Sequence, residues 1–235
     1  MDFAAARRQM VLTQINTNKV SDNRVLSAME TVPREWFVPP AATASIAQAY
    51  VDEDVALGID GNGNQRWLME PMVLARLLQA AAVTPDCHVL DIAPATGYST
   101  ALFSLLAGRV VAVEGDAKMR DQASTLVKKL GGCKTKFLDS LPQAGFEDYD
   151  GYDVIFLNGA VASPPLHDGD GHYGDRLREG GRLLLIVREG DRAQQGSIGT
   201  AYVYRKQHGQ LSRLALFDCA TPWLPGFAPP HRFVF

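Results

Sequence analysis

Cysteine is scarce in this sequence: Cys87, Cys133 and Cys219 are the only three in 235 residues. They are odd in number and far apart, so the chain offers neither a disulfide framework nor the paired spacing of a zinc or redox site. Charge of one sign is lacking as well. Against 26 acidic residues stand 23 basic ones, a formal net charge of -3. No cluster of Lys and Arg marks a nucleic-acid surface, and Lys128-Lys129 reads as a solvated helix end. No apolar run approaches the roughly 20 residues of a membrane span, and Arg7-Arg8 is not followed by the apolar stretch of a secretory signal. These absences lead us to expect a soluble, cytoplasmic protein without a nucleic-acid or membrane partner. With 46% hydrophobic and 21% charged residues, the chain is long enough to bury a full core.

The apolar pattern divides the chain. Phe3 to Met29 carries apolar residues at helical spacing, interrupted near 16–22, where Ser21 or Asp22 can cap a second helix. Proline ends this region at Val32-Pro-Arg-Glu-Trp-Phe-Val-Pro-Pro40, because it cannot continue a helix and biases the residue before it toward extended geometry. An extended link leads to Gly58-Ile-Asp-Gly-Asn-Gly-Asn-Gln-Arg66, whose composition predicts a solvent loop or a mobile piece of a site. Beyond Pro71, helices at Met72–Ala82, Tyr98–Leu106 and Met119–Leu130 alternate with strands at Val89–Ile92, Val110–Val113 and Lys134–Leu138. Strands at Tyr152–Leu157 and Arg182–Val187 continue the series, and Ala201–Arg205 with Leu211–Asp218 reads as a hairpin turning at His208-Gly209. The pattern predicts a doubly wound α/β fold: a mostly parallel sheet, antiparallel carboxyl-terminal strands and a helical amino-terminal cap. We divide it into a cap with a substrate-side loop over 1–71 and a ligand-binding domain over 72–235.

Glycine is missing where such a fold most often places it. In an open parallel sheet the ligand lies beyond the carboxyl ends of the strands, and the first strand-turn-helix unit supplies the cradle. Here that unit is His88-Val-Leu-Asp-Ile-Ala-Pro-Ala-Thr-Gly-Tyr-Ser-Thr100, with Ala93 and Ala95 ahead of Gly97. A dinucleotide fingerprint needs a small third residue, and Tyr98 falls there. Gly97 fits instead the closer glycine spacing of enzymes that use S-adenosylmethionine. Asp91 agrees, since its carboxylate suits a cationic methionine end and repels a pyrophosphate. Glu114, ending the next strand, suits a ribose diol. A nicotinamide-dependent dehydrogenase is the disfavoured alternative.

More specific matches lie along most of the chain: Met10-Val with Gln14, Arg24-Val-Leu-Ser-Ala-Met29, Val32-Pro-Arg-Glu-Trp-Phe-Val-Pro39 and Glu70-Pro-Met-Val73. Val89–Tyr98, Val111–Glu114, Tyr152-Asp-Val-Ile-Phe-Leu-Asn158 and Leu177-Arg-Glu-Gly-Gly-Arg-Leu183 follow in order. Together they resemble the protein-L-isoaspartate O-methyltransferase family, Rossmann-like class I enzymes dependent on S-adenosylmethionine. The resemblance implies methylation of L-isoaspartyl residues in damaged proteins for repair, with S-adenosylhomocysteine as product and isoaspartyl-containing proteins or peptides as partners. It also implies that Asp91, Ala93, Ala95, Thr96, Gly97 and Tyr98 hold the methionine portion. Glu114 beside Gly115 would take the ribose, Asp139 would lie by the adenine, and Asn158 would line the methyl-transfer site. No residue is assigned a catalytic role, because a carboxylate acceptor is already a nucleophile and needs alignment and dehydration rather than a general base.

Two departures stand out. Where the family places Thr-Ile-Ser-Gln-Pro, this chain has Trp67-Leu-Met-Glu-Pro71, so Arg66, Met69 and Glu70 become the substrate-side candidates. A second carboxylate beside a carboxylate substrate costs affinity or binds a proton, and Arg66 is expected to compensate by pairing with Glu70 or the substrate. The Ala-Pro-Ala turn is the other departure. It keeps open a relative that retains the fold as a binding or regulatory protein, and an enzyme with a different carboxylate or small-molecule acceptor. Plainer roles also exist: Glu70 as a helix cap, Asn158 bonding its own backbone, Asp91 and Asp139 as turn residues. Asp168, Asp170 and Glu179 fall at calcium-loop spacing, but His172 and Tyr173 occupy the fifth and sixth positions, and Tyr173 stands where glycine is required, so no metal is expected. The aromatic, proline-rich end from Thr221 is expected to pack on the body or to border a substrate groove or a dimer contact.

Overall fold

The computed structural model describes residues 2–40, 46–140, 151–166, 172–188 and 198–229. Its strands are β1 (Val55–Ile59), β2 (Gln65–Leu68), β3 (His88–Ile92), β4 (Arg109–Val113), β5 (Lys134–Leu138), β6 (Tyr152–Val161), β7 (Leu177–Val187), β8 (Gly199–Gln207) and β9 (Gln210–Cys219). The α-helices are α1 (Phe3–Met10), α2 (Asn23–Thr31), α3 (Pro71–Ala81), α4 (Tyr98–Leu106) and α5 (Ala117–Leu130).

Alternate side chains of the central strands enter two separate cores, as the two-residue period of a strand requires. Val89, Val110, Val154, Phe156, Leu184 and Ile186 join the core shared with α3, α4 and the amino-terminal helices. Leu90, Ile92, Val111, Val113, Ile155, Leu157, Leu183 and Leu185 fill the other. Burial on both faces explains why these strands read as unbroken Val/Ile/Leu runs. They form a seven-stranded sheet in the order β5-β4-β3-β6-β7-β8-β9. The first five of that row are mutually parallel, and β8 and β9 are antiparallel additions. Strand order reverses between β3 and β6, the point at which open sheets of this kind form a ligand crevice.

The caps follow the sequence. The Asp22 side chain accepts from the Arg24 amide at 2.8 Å to open α2, and Asp116 accepts from Met119 at 2.8 Å to open α5. Pro71 starts α3, where its missing N–H is no loss. Apolar side chains of residues 10–69 and those of α3 and α4 belong to one continuous core, so the amino-terminal region is packed onto the sheet domain.

The structure adds detail to two expectations. The Gly/Asn-rich stretch holds an exposed turn that joins the two strands of an antiparallel hairpin, with Ile59 opposite Gln65 and Val55 opposite Leu68. The segment 222–227 packs on the body as a strap. β3 stops at Ile92 opposite Leu157, β6 continues to Val161, and residues 222–227 pair with that extension. The Ala160 amide donates to the Pro222 carbonyl at 2.9 Å and Leu224 donates to Ala160 at 2.8 Å. Gly159 permits this approach, since a Cβ there would lie 3.0 Å from the Leu224 side chain.

Candidate cofactor site

The turn between β3 and α4 keeps the backbone of a glycine loop although two of its residues are alanine. Ala93 and Ala95 have φ of 53° and 52°, left-handed values that cost an L-residue roughly 1–2 kcal/mol. Gly97 follows at φ 93°, and a Cβ there would come within 2.6 Å of the Ala123 side chain. So α4 enters the fold against α5 at the one position of the turn where even a methyl is excluded. Thr96 locks the turn to the cap by donating its hydroxyl to the Phe37 carbonyl at 2.6 Å. Tyr98 is fully buried beneath the Arg34 guanidinium, 4.8 Å from its ring centroid.

Asp91 lies at the strand-order reversal and is fully buried. Ser99 and Thr100 donate to one of its oxygens at 2.8 and 2.6 Å, and Asn158, in β6 just past the last residue paired with β3, donates to the other at 2.6 Å. Burial pushes this carboxyl up to about 6, opposed by the three donors, which favour the charged form. Asn158 also donates to the Ile92 carbonyl at 2.9 Å. It therefore clasps β3 to β6 and does not bond its own backbone. Asp139 is exposed beyond β5 and accepts from the Ser140 hydroxyl at 3.0 Å; Gly115 is exposed beside it, its Cβ position 3.8 Å from the Asp139 carbonyl.

Glu114 is the surprise. Arg66 reaches from β2 and makes a two-pronged contact, Nη1 to Oε1 at 2.8 Å and Nη2 to Oε2 at 2.7 Å. The guanidinium is 5% exposed and the carboxylate 1%. Desolvation works to lower the Arg66 pKa, but Glu114, with Asp60 and Asp116 behind it, outweighs it and holds the guanidinium above its ordinary value. Backbone amides supply the remaining donors: Asp116 to Oε1 at 3.0 Å and Ala95 to Oε2 at 2.8 Å. Arg66 thus pairs with the expected ribose acceptor and not with Glu70, because β2 carries it across the crevice while Glu70 lies beyond the strand's end.

Glu70 does not cap α3 with its side chain. Its amide donates to Asp54 at 2.9 Å, and its own carboxyl is raised to about 7, first by burial and then by Asp52, Asp54 and Glu53. Asp54 is pushed up to about 6 by burial. Arg34 faces this acidic group: fully buried, it donates to the carbonyls of Ala49 at 2.6 Å and Met69 at 2.7 Å, fixing the approach to α3. Met69 is buried and borders, with Asp54, Arg66, Ala93, Asn158 and Trp223, a cavity of about 20 Å³, room for a single water. Outside it, a groove of about 540 Å³ runs between the hairpin and the strap, walled by Trp67, Trp223 and Arg188.

Several of these residues escape sequence reading. Asp54 sits in a Asp-Glu-Asp run that reads as surface, and Trp223 in a tail with no periodicity; Arg34 alone has a signal, its place in the Val-Pro-Arg run. Of the calcium-loop candidates, Asp168 and Asp170 lie outside the described residues. Glu179 instead accepts from the amides of His208 and Gly209, closing the β8–β9 turn.

Comparison with known proteins agrees with this architecture. The family model described as Protein-L-isoaspartate(D-aspartate) O-methyltransferase (PCMT) matches residues 5–215. A protein-L-isoaspartate O-methyltransferase of Koribacter versatilis is 32% identical over 92% of this chain and 89% of its own. One from a Synechococcus species is 30% identical over 99% and 85%. A solved structure bearing that enzyme name superposes with a TM-score of 0.73 at 22% identity, covering 94% of this chain and 67% of the other. By family model and by relatives alike, the chain belongs to the protein-L-isoaspartate(D-aspartate) O-methyltransferase family.

Proposed function

We propose that the protein is an S-adenosylmethionine-dependent methyltransferase that esterifies the carboxyl group of L-isoaspartyl residues in damaged proteins, the first step of their repair. The observation that carries this reading is the meeting of Asp91 and Glu114, at the ends of neighbouring strands, on a turn that keeps left-handed backbone at three positions. In kind, the donor set fits the cofactor: Asp91 for the cationic methionine end, Ala93, Ala95, Thr96, Gly97 and Tyr98 for the turn around it, and Glu114 with Gly115 for the ribose. Asp139 borders the adenine side and Asn158 the reacting end. Two places are already engaged: Arg66 fills the space at Glu114, and Asp91 is fully buried with both oxygens bonded, so it acts on the methionine end through its charge.

When bound, S-adenosylmethionine supplies an electrophilic methyl on a sulfonium. The work left to the chain is to align and dehydrate the acceptor carboxylate. Met69, buried beside Asp54 and Trp223, and Trp67 and Trp223 in the groove offer apolar surface on the substrate side. Glu70, with its carboxyl at about 7, keeps its proton in part at neutrality, which softens its repulsion of a carboxylate acceptor; Asp54, at about 6, does so only on the acid side. In this reading residues 1–71 form the cap and substrate side, and 72–235 the cofactor domain. None of the described helices is long and apolar enough to cross a membrane.

Labelled methyl transfer to a pair of peptides tests the proposal. With S-adenosylmethionine carrying a labelled methyl, an isoaspartyl peptide is expected to gain a base-labile ester and its aspartyl twin none. Label in neither peptide would favour a different acceptor or a silent relative.

A further inference from the structure

Glu114 has no acceptor capacity left. An ionised carboxylate offers about four lone-pair sites. Arg66 Nη1 and the Asp116 amide take Oε1, and Arg66 Nη2 and the Ala95 amide take Oε2. A ribose diol needs two of those places, and both backbone amides belong to turns fixed by the sheet. Arg66 alone comes from outside the main sheet: among the described residues β2 pairs with β1 and not with any strand of the main sheet.

The hairpin tip is tied to the same spot a second time. The Gly61 amide donates to Asp116 at 2.8 Å. Asp60, which accepts from the Asn62 and Asn64 amides at 2.9 Å each, stands 3.7 Å from the Arg66 guanidinium. One face of the hairpin thus closes over the loop that follows β4, and the cavity beside Arg66 and Ala93 measures about 20 Å³.

We propose that the β1–β2 hairpin is a lid and Arg66 an internal competitor for the ribose subsite, so that the cofactor binds only when Arg66 releases Glu114. This inference rests on the methyltransferase reading. It makes Arg66 a determinant of cofactor affinity and not a substrate-side residue. The observed affinity is the intrinsic one multiplied by the fraction of molecules with the lid open, so a lid shut in about nine molecules of ten weakens binding about tenfold.

Calorimetric titration with S-adenosylhomocysteine compares the natural protein with Arg66→Gln and Arg66→Lys. Arg66→Gln is expected to bind at least about tenfold more tightly, with Arg66→Lys in between, since its ammonium makes a single point contact. Because Arg66→Gln leaves a buried carboxylate without its partner and can fail to fold, hydrogen exchange of the natural protein provides an independent readout. Added S-adenosylhomocysteine is expected to speed exchange at the Gly61 amide and slow it at Ala95 to Gly97. Equal affinities, with Gly61 exchange unchanged by the ligand, would overturn the lid and leave the methyltransferase reading standing. Absence of binding to every one of these proteins, with no change in exchange, would overturn that reading and the lid with it.

Discussion

At the scale of single residues, the cofactor turn trades composition for conformation. Ala93 and Ala95 take φ of 53° and 52° where glycine would do so freely. Strain of this kind persists only where the surroundings over-determine it. Here the Ala93 amide is held by the Val113 carbonyl at 2.8 Å and the Ala95 amide by Glu114 at 2.8 Å. Ala93→Gly relieves the left-handed penalty but gives the unfolded chain more freedom, for a net gain of about 0.5 kcal/mol. Ala95→Gly also loses a methyl that is buried, worth about 0.8 kcal/mol, and is expected to be neutral or worse. Gly97→Ala adds a methyl 2.6 Å from Ala123 at positive φ and should lose about 2 kcal/mol or more. Urea unfolding of the three variants checks the order; Ala93→Gly falling below the natural protein would mean that the turn is not strained.

Between elements, the junction of β1, β2 and α3 concentrates charge. Asp54 and Glu70 draw their raised carboxyl pKa values, about 6 and about 7, from burial at this seam, where Arg34 ties the Ala49 and Met69 carbonyls together. The sign of the pH effect follows. The folded protein holds protons that the unfolded chain has already lost. This contribution to stability is therefore complete below the ordinary values of 3.8 and 4.5 and is lost as pH rises through about 7. Glu70→Gln removes the Glu70 share. Its stability relative to the natural protein should rise between pH 5 and pH 8, a window set by that raised pKa. A difference in melting temperature that stays flat across the window, measured by calorimetry, would show that Glu70 titrates normally. The comparison with its own parent cancels His88, whose lowered pKa acts on stability in the opposite direction.

For the molecule as a whole, what the sequence discloses and what it hides divide along a physical line. The parallel strands were legible because burial on both faces leaves runs that are mostly apolar. Asp22 was legible as a cap because capping is local. The β1–β2 hairpin was not. Its strands are five and four residues long, and its tip is rich in glycine and asparagine, so neither period nor propensity marks it. The destination of Arg66 was equally hidden, since a contact across 48 residues depends on where the sheet places Glu114. The strap at 222–227 pairs with β6 only because β3 stops early, and the end of one strand relative to another leaves no trace in composition. Tertiary placement thus decided the points that matter most for the site.

The measurement that bears most directly on this account is a crystal structure of the natural protein grown with S-adenosylhomocysteine. The account expects the ribose hydroxyls on Glu114, the amino-acid end beside Asp91, and Arg66 withdrawn with the hairpin. Ligand bound elsewhere, or ribose on Glu114 with the Arg66 contact intact, would contradict it.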